Sequence, residues 1–158
     1  MKKNILLIGG SHGIGKSLID NLSGDYEIYV ASRTKEELPE EITHIEYDVT
    51  ADILNTEELP EVLDGFVYCP GSINLKPFKM LSEETFNEDL QLNFMGLIKS
   101  LKAFEDRLKK ADQASLVFFS TVAVKMGMPF HTSVAAAKGA IEGFAKALAA
   151  EYAPQFRV

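Results

Sequence analysis

The stretch LLIGGSHGIGKSL, residues 6–18, decides how this chain is interpreted. Its apolar beginning is typical of a strand that is buried on both faces, and helical spacing follows it. Gly9, Gly13 and Gly15 lie between the two. Glycine tolerates positive φ and lets the backbone approach a pyrophosphate, which the first amides of a helix then bind. The stretch predicts a dinucleotide-binding turn, with glycines that serve packing alone as the alternative.

Outward from this stretch, strands and helices alternate along the whole chain. Such alternation predicts an α/β fold: a Rossmann-like, doubly wound parallel sheet with helices on both faces. We expect one NAD(P)-binding domain over 1–158. The last segment, EYAPQFRV, begins what looks like a further strand, and this suggests a truncated or cleaved chain. The predicted strands are 4–9, 26–32, 43–49, 65–71 and 115–121; the predicted helices are 82–111 and 132–153, with a short helix or turn over 54–63.

The composition excludes several classes of protein. A formal charge of −7 without a basic cluster argues against nucleic acid or an anionic membrane as a partner. Cys69 is the single cysteine, so the chain has neither an internal disulfide nor a thiolate metal site, as expected of a cytoplasmic protein. The apolar run at the N-terminus is too short to cross a membrane.

The glycine spacing is Gly-x-x-x-Gly-x-Gly, and further motifs follow it in a fixed order. Asp48-Val49 follows the third strand, YCPG (68–71) ends the fourth, Asn93 lies in the long helix, and Lys138 follows the serine-bearing segment FFSTVAV. In this order and spacing the sequence resembles the short-chain dehydrogenases/reductases over its whole length. The last third of that family, with its substrate loop, has no counterpart here.

The resemblance implies a nicotinamide cofactor and names the residues that would bind it. Arg33 ends the second strand with no acidic residue beside it, which favours the 2′-phosphate of NADP over NAD. His12 is placed to assist, although a solvated turn at Arg33 is the alternative. The implied cofactor-binding residues are Gly9, Ser11, His12, Gly13, Ile14, Gly15, Ser32, Arg33, Asp48, Val49, Gly71, Asn93 and Lys138.

The resemblance also implies catalytic positions, and one of them is changed. The family places a tyrosine four residues before its lysine, on the same helix face, but Val134 occupies that position here. Thr121 takes the place of the family's serine, while Asn93 and Lys138 are retained. Ser120 should face the other side of its strand. His131, three residues before Val134, and a solvent-fed water are both candidates for the missing proton donor.

Two functions remain open at this stage. The first is an oxidoreductase that transfers a hydride between NADP(H) and a small carbonyl or alcohol, with a non-standard proton relay. The alternative is a catalytically inactive NAD(P)-binding sensor or scaffold. No metal is expected in either case. By resemblance, the helices over 82–111 and 132–153 would form the contact of a homodimer or homotetramer.

Overall fold

The structure is a computed structural model that describes residues 2–35, 38–51 and 55–158. In chain order its elements are β1 Lys3–Ile8, α1 Gly13–Leu22, β2 Tyr26–Ser32, β3 Thr43–Glu46, β4 Gly65–Tyr68, a 3₁₀ turn Phe78–Met80, α2 Glu83–Leu90, a π-helical turn Gln91–Met95, α3 Gly96–Lys109, β5 Ala114–Phe118, α4 Ala123–Met126, α5 Thr132–Tyr152 and β6 Phe156–Arg157.

The described strands form one parallel sheet in the order β3-β2-β1-β4-β5-β6. The chain moves outward from β1 to β3, returns to the other side of β1 at β4, and moves outward again to β6. The strand order therefore reverses between β1 and β4. In open α/β sheets, ligands bind at such a reversal, beyond the carboxyl ends of the strands.

Successive residues of β1 face two separate cores. Leu7 packs with Val30 and with Ile19 of α1 on one face of the sheet. Leu6 and Ile8 belong to the core on the other face, which includes Leu97, Leu101 and Phe104 of α3 and Ile141 and Leu148 of α5. Both cores follow from the period of two along a strand. The predicted fold class, with helices on both faces, is confirmed.

The long predicted helix over 82–111 is interrupted in the structure. Ser82 caps α2 by accepting a hydrogen bond from the Thr85 amide at 3.3 Å. The helix then widens into the π-helical turn, where the Gly96 amide bonds to the Gln91 carbonyl, five residues earlier. The prediction of one continuous α-helix was therefore wrong in detail. A π-helical turn has no glycine or proline signature that the sequence could show.

Smaller differences concern the ends of the elements. The third, fourth and fifth strands are shorter than expected, because their last predicted residues leave the sheet to form the loops of the site. The predicted helix or turn over 54–63 begins at Leu54, outside the described residues, and residues 55–63 contain a turn at 57–58 and no helix. The segment after α5 does form a strand, β6, which pairs with β5.

Within the described residues, the structure contains no helix that is both long and apolar enough to cross a bilayer.

Candidate functional site

Three glycines shape the turn that follows β1. Gly9 and Gly13 have φ values of +79° and +56°. A Cβ on Gly15 would stand 2.5 Å from the Gly9 carbonyl oxygen, so only glycine lets α1 begin this close to β1. The helix N-terminus thereby offers its free amides and positive dipole to an anion.

A cleft of about 370 Å³ opens beside this turn. Its walls come from the ends of β1, β2 and β4 and from the segment after β3, which is the location expected from the strand order. Eight of the predicted cofactor-binding residues line it: Gly9, Ser11, His12, Ser32, Arg33, Asp48, Val49 and Gly71. Ile14, at the start of α1, is exposed to solvent.

The end of β2 is held by hydrogen bonds that the sequence did not reveal. Ser32 is buried, and its hydroxyl donates to the Thr34 carbonyl at 2.8 Å. The ring of His44 contacts Ser32 at two points, with Nε2 donating to the Ser32 carbonyl at 3.1 Å. Ser32 therefore shapes the turn that carries the exposed Arg33.

Asp48 is a carboxylate in the same cleft. Thr50 donates to Asp48 Oδ1 from its hydroxyl at 2.7 Å and from its amide at 2.9 Å. These hydrogen bonds, with a smaller contribution from Arg33, lower the pKa of Asp48 below its ordinary value. The cleft thus presents a fixed negative group near Val49 and a positive one at Arg33.

Asn93 and Lys138 meet above Gly71. A Cβ on Gly71 would lie 3.2 Å from Asn93 Oδ1 and 3.3 Å from Lys138 Nζ. Asn93 is in the π-helical turn, Lys138 is in α5, and both are buried. The structure therefore brings these two predicted residues together at the carboxyl end of β4.

The environment of Lys138 is unusual for a lysine. Its exposed fraction is 8%, and burial lowers its pKa below the ordinary 10.5, while Cys69 has a smaller, opposite effect. Burial of the Cys69 thiol itself raises its pKa to about 12, so it stays protonated near neutral pH. Cys69 is therefore a polar wall of the cleft and not a thiolate.

Thr121 and Ser120 point in different directions. Thr121 and Gly71 each lie three residues beyond the paired residues Tyr68 and Phe118, so both leave the sheet at the same edge. Ser120 donates to Glu142 Oε1 of α5 at 2.6 Å. This bond commits the Ser120 hydroxyl to α5, whereas the half-buried Thr121 hydroxyl accepts from the Ala123 amide at 3.3 Å.

Val134 is buried, with an exposed fraction of 5%. The predicted alternative donor, His131, precedes α5 and donates from Nδ1 to the Pro129 carbonyl at 2.7 Å, which leaves Nε2 as the second ring nitrogen. Tyr68 is no substitute for the missing tyrosine: its hydroxyl donates to the Leu92 carbonyl at 2.6 Å, and burial raises its pKa.

Two polar residues beside Asn93 were missed by the sequence reasoning. Asn93 Nδ2 donates to the hydroxyl of Ser72 at 2.9 Å, and that hydroxyl donates to Asp89 Oδ1. Asp89 is fully buried in α2. Its position four residues before Asn93, on the same helix face, was the available signal.

Within the described residues, no group of three or more His, Cys, Asp and Glu side chains is arranged to hold a metal ion.

The similarity to known proteins extends over almost the whole chain. The model of the family described as short chain dehydrogenase matches residues 3–158. Among characterised relatives, 3-ketodihydrosphingosine reductase of Bacteroides thetaiotaomicron is 27% identical over 157 residues, covering 95% of this chain and 58% of that protein. The chain spans about half to two thirds of the length of the curated relatives it matches.

Solved structures agree with this likeness. A short chain dehydrogenase family protein from Francisella tularensis superimposes with a TM-score of 0.89 at 25% identity, covering 100% of this chain and 67% of that one. The structure of ElxO with NADP bound has a TM-score of 0.88 at 25% identity, covering 100% of this chain and 71% of its own.

Proposed function

Because the chain belongs to the short-chain dehydrogenase family of NAD(P)-binding oxidoreductases, we propose that it transfers a hydride between NADP(H) and a small carbonyl or alcohol. The observation that carries this proposal is the meeting of Asn93 and Lys138 above Gly71. A buried lysine and a buried amide beside a glycine carry a desolvation cost that apolar side chains would not. A ligand with hydroxyl groups would supply the hydrogen bonds that this pocket lacks.

The residues of the site fit a dinucleotide. The turn from Gly9 to Gly15 offers backbone amides to a pyrophosphate, and the space above Gly71 is one that a Cβ would fill. Asp48 and Val49 would flank the adenosine. Arg33 and His12 supply the basic groups for a 2′-phosphate, and NADP bound to the similar protein ElxO supports the phosphorylated cofactor.

The nicotinamide group would supply the hydride. Binding of the ribose, orientation of the substrate and supply of the proton would depend on the surroundings of the site. The Lys138 ammonium would donate hydrogen bonds to ribose hydroxyls, and the Thr121 hydroxyl would orient the oxygen of the substrate. Val134 has no proton to give. The proton therefore comes from His131 or from a solvent water beside Asn93 and Lys138. General acid–base assistance is worth about 10²–10⁴-fold, so a weaker relay slows the reaction without abolishing it.

Two measurements test the proposal in sequence. Calorimetric titration of the 158-residue chain should show binding of NADPH that is tighter than that of NADH. Stopped-flow oxidation of NADPH is then followed against a panel of ketones and aldehydes, with Lys138→Met as the matched inactive control. Binding without turnover of any carbonyl would contradict the oxidoreductase and favour a non-catalytic NADP-binding protein, whereas absence of binding would contradict both.

One further variant distinguishes the two candidate sources of the proton, His131 and a solvent water. If His131 supplies it, His131→Ala should lower the rate by about 10²-fold or more. If water supplies it, the rate of this variant stays near that of the native chain, and only its solvent isotope effect reports the proton transfer.

A further inference from the structure

The buried carboxylate of Asp89 is the centre of a hydrogen-bond network under the nicotinamide end of the site. Its Oδ1 accepts hydrogen bonds from the Ser72 hydroxyl and from Asn74 Nδ2, the latter at 2.8 Å. Both donors belong to the loop that follows β4 and Gly71. Asp89 therefore fastens this loop to helix α2.

The direction of each bond in the network follows from the chemistry of Asp89. A carboxylate only accepts, so the single hydrogen of the Ser72 hydroxyl is committed to Oδ1. Ser72 Oγ is left as an acceptor, and Asn93 Nδ2 donates to it at 2.9 Å. The other Nδ2 hydrogen goes to the Asp89 carbonyl at 2.8 Å. Because both partners are acceptors, the amide of Asn93 has one favourable orientation.

That orientation turns Asn93 Oδ1 toward the space above Gly71. The oxygen is buried and has no hydrogen-bond partner within the described part of the chain. It lies 3.2 Å from the position of a Cβ on Gly71, and Lys138 Nζ lies 3.3 Å from the same position. A buried acceptor without a donor is costly, and a hydroxyl from a ligand would satisfy it.

Burying the carboxylate of this network costs free energy of desolvation. Asp89 is fully buried, and its second oxygen Oδ2 finds no hydrogen-bond partner among the described residues. An apolar side chain at this position would avoid that desolvation penalty, but it would leave the Ser72 hydroxyl and the Asn74 amide without their acceptor. The carboxylate thus sets the direction of the hydrogen bonds in the loop.

We propose that Asp89, acting through Ser72, is a positioning residue that fixes the amide of Asn93 so that Oδ1 accepts from the hydroxyls of the nicotinamide-side ribose beside Lys138. The inference rests on the proposed function, since it assumes that NADP occupies the site.

The test compares two ligands that share the adenosine half. NADPH carries the nicotinamide ribose, whereas 2′,5′-ADP lacks it, and both are titrated into the native chain, Asp89→Leu, Asp89→Asn and Ser72→Ala. Asp89→Leu should weaken NADPH binding by about tenfold, the loss of about one hydrogen bond, and leave the dissociation constant of 2′,5′-ADP unchanged. Asp89→Asn retains an acceptor oxygen for Ser72 and should stay within about threefold of the native chain.

Ser72→Ala removes the link while leaving Asp89 in place, and its half-buried position makes it the milder change if Asp89→Leu unfolds the chain. It should reproduce the selective weakening of NADPH. Equal weakening of both ligands, or of neither, would overturn the inference, as would an Asp89→Asn variant as weak as Asp89→Leu. Failure of the native chain to bind either ligand would instead contradict the proposed function and, with it, this inference.

Discussion

Val134 and Lys138 illustrate what spacing along the chain does and does not predict. Helical spacing predicted that positions 134 and 138 share a face of α5, and both side chains are buried there. The pairing of Asn93 with Lys138 could be expected only from the family resemblance, since the two residues lie 45 positions apart in sequence. The Ser72–Asp89 network was not predicted, because a serine in a loop and an aspartate in a helix are most often solvated surface residues.

A tyrosine at position 134 should restore the proton donor. Val134→Tyr places a phenol one turn before Lys138, whose ammonium would lower the pKa of that phenol. We expect NADPH oxidation with a reactive ketone to accelerate by about 10²–10⁴-fold, measured by stopped flow. Val134→Phe is the matched control, because it adds the same ring without the hydroxyl. Equal rates for the two variants would contradict the assigned register.

The preference for NADP should depend on Arg33. Arg33→Glu removes a cation that would pair with the 2′-phosphate and puts a carboxylate in its place, beside Asp48. The affinity for NADPH, measured by calorimetry, should fall by about tenfold to a hundredfold, while that for NADH changes little. Lys35→Glu, an equal change of charge on the next exposed basic residue, is the control. A variant that still prefers NADPH would rule out this phosphate contact.

The buried ammonium of Lys138 should lower the free energy of unfolding at neutral pH. Its folded pKa is lowered by burial, so the unfolded chain holds the proton more tightly between that pKa and 10.5. The free energy of unfolding therefore rises with pH through this window, and the penalty is fully present below it. Lys138→Met should be more stable than the native chain at pH 7 by urea unfolding, with NADPH binding weakened. A less stable variant would show that the ammonium has a favourable partner.

At the scale of elements, the first two strands were predicted more accurately than the long helix. Apolar runs are local signals, so β1 and β2 begin and end within one residue of the expected positions. The π-helical turn depends on tertiary contacts. The Tyr68 hydroxyl from β4 donates to the Leu92 carbonyl inside that turn, and no local sequence pattern records this contact.

Two glycines in helices should respond oppositely to alanine. A Cβ on Gly96 would lie 2.4 Å from the Tyr68 hydroxyl and 3.1 Å from Val49, so Gly96→Ala should lower the free energy of unfolding by roughly 1–3 kcal/mol. Gly143 in α5 is exposed and has open space at that position, so Gly143→Ala should raise it by about 0.5–1 kcal/mol. Thermal or urea unfolding measures both. Similar effects of the two changes would contradict the close packing of α3 against β4.

At the scale of the whole molecule, the alternation of strands and helices was sufficient to predict a doubly wound sheet, because right-handed crossovers leave few other arrangements. The order of the strands and its reversal between β1 and β4 were seen only in the structure. The location of the cleft follows from that reversal, and this explains why residues from four separate loops meet although nothing in their local sequence links them.

Self-association is the last expectation at this scale. A groove of about 220 Å³ runs between α3 and α5, and apolar Ile98, Phe144 and Leu148 line it together with charged side chains. We expect a second copy of the chain to pack its own helices there, as a homodimer that buries on the order of 1,200–2,000 Å². Sedimentation velocity at micromolar concentration should show the dimer, and Ile98→Asp should convert it to a folded monomer, because a carboxylate in the contact would be desolvated without a partner. Met126→Asp, an equal change at an exposed site in α4, should leave the dimer intact. A monomeric native chain would contradict self-association, whereas loss of the dimer in both variants would place the contact elsewhere.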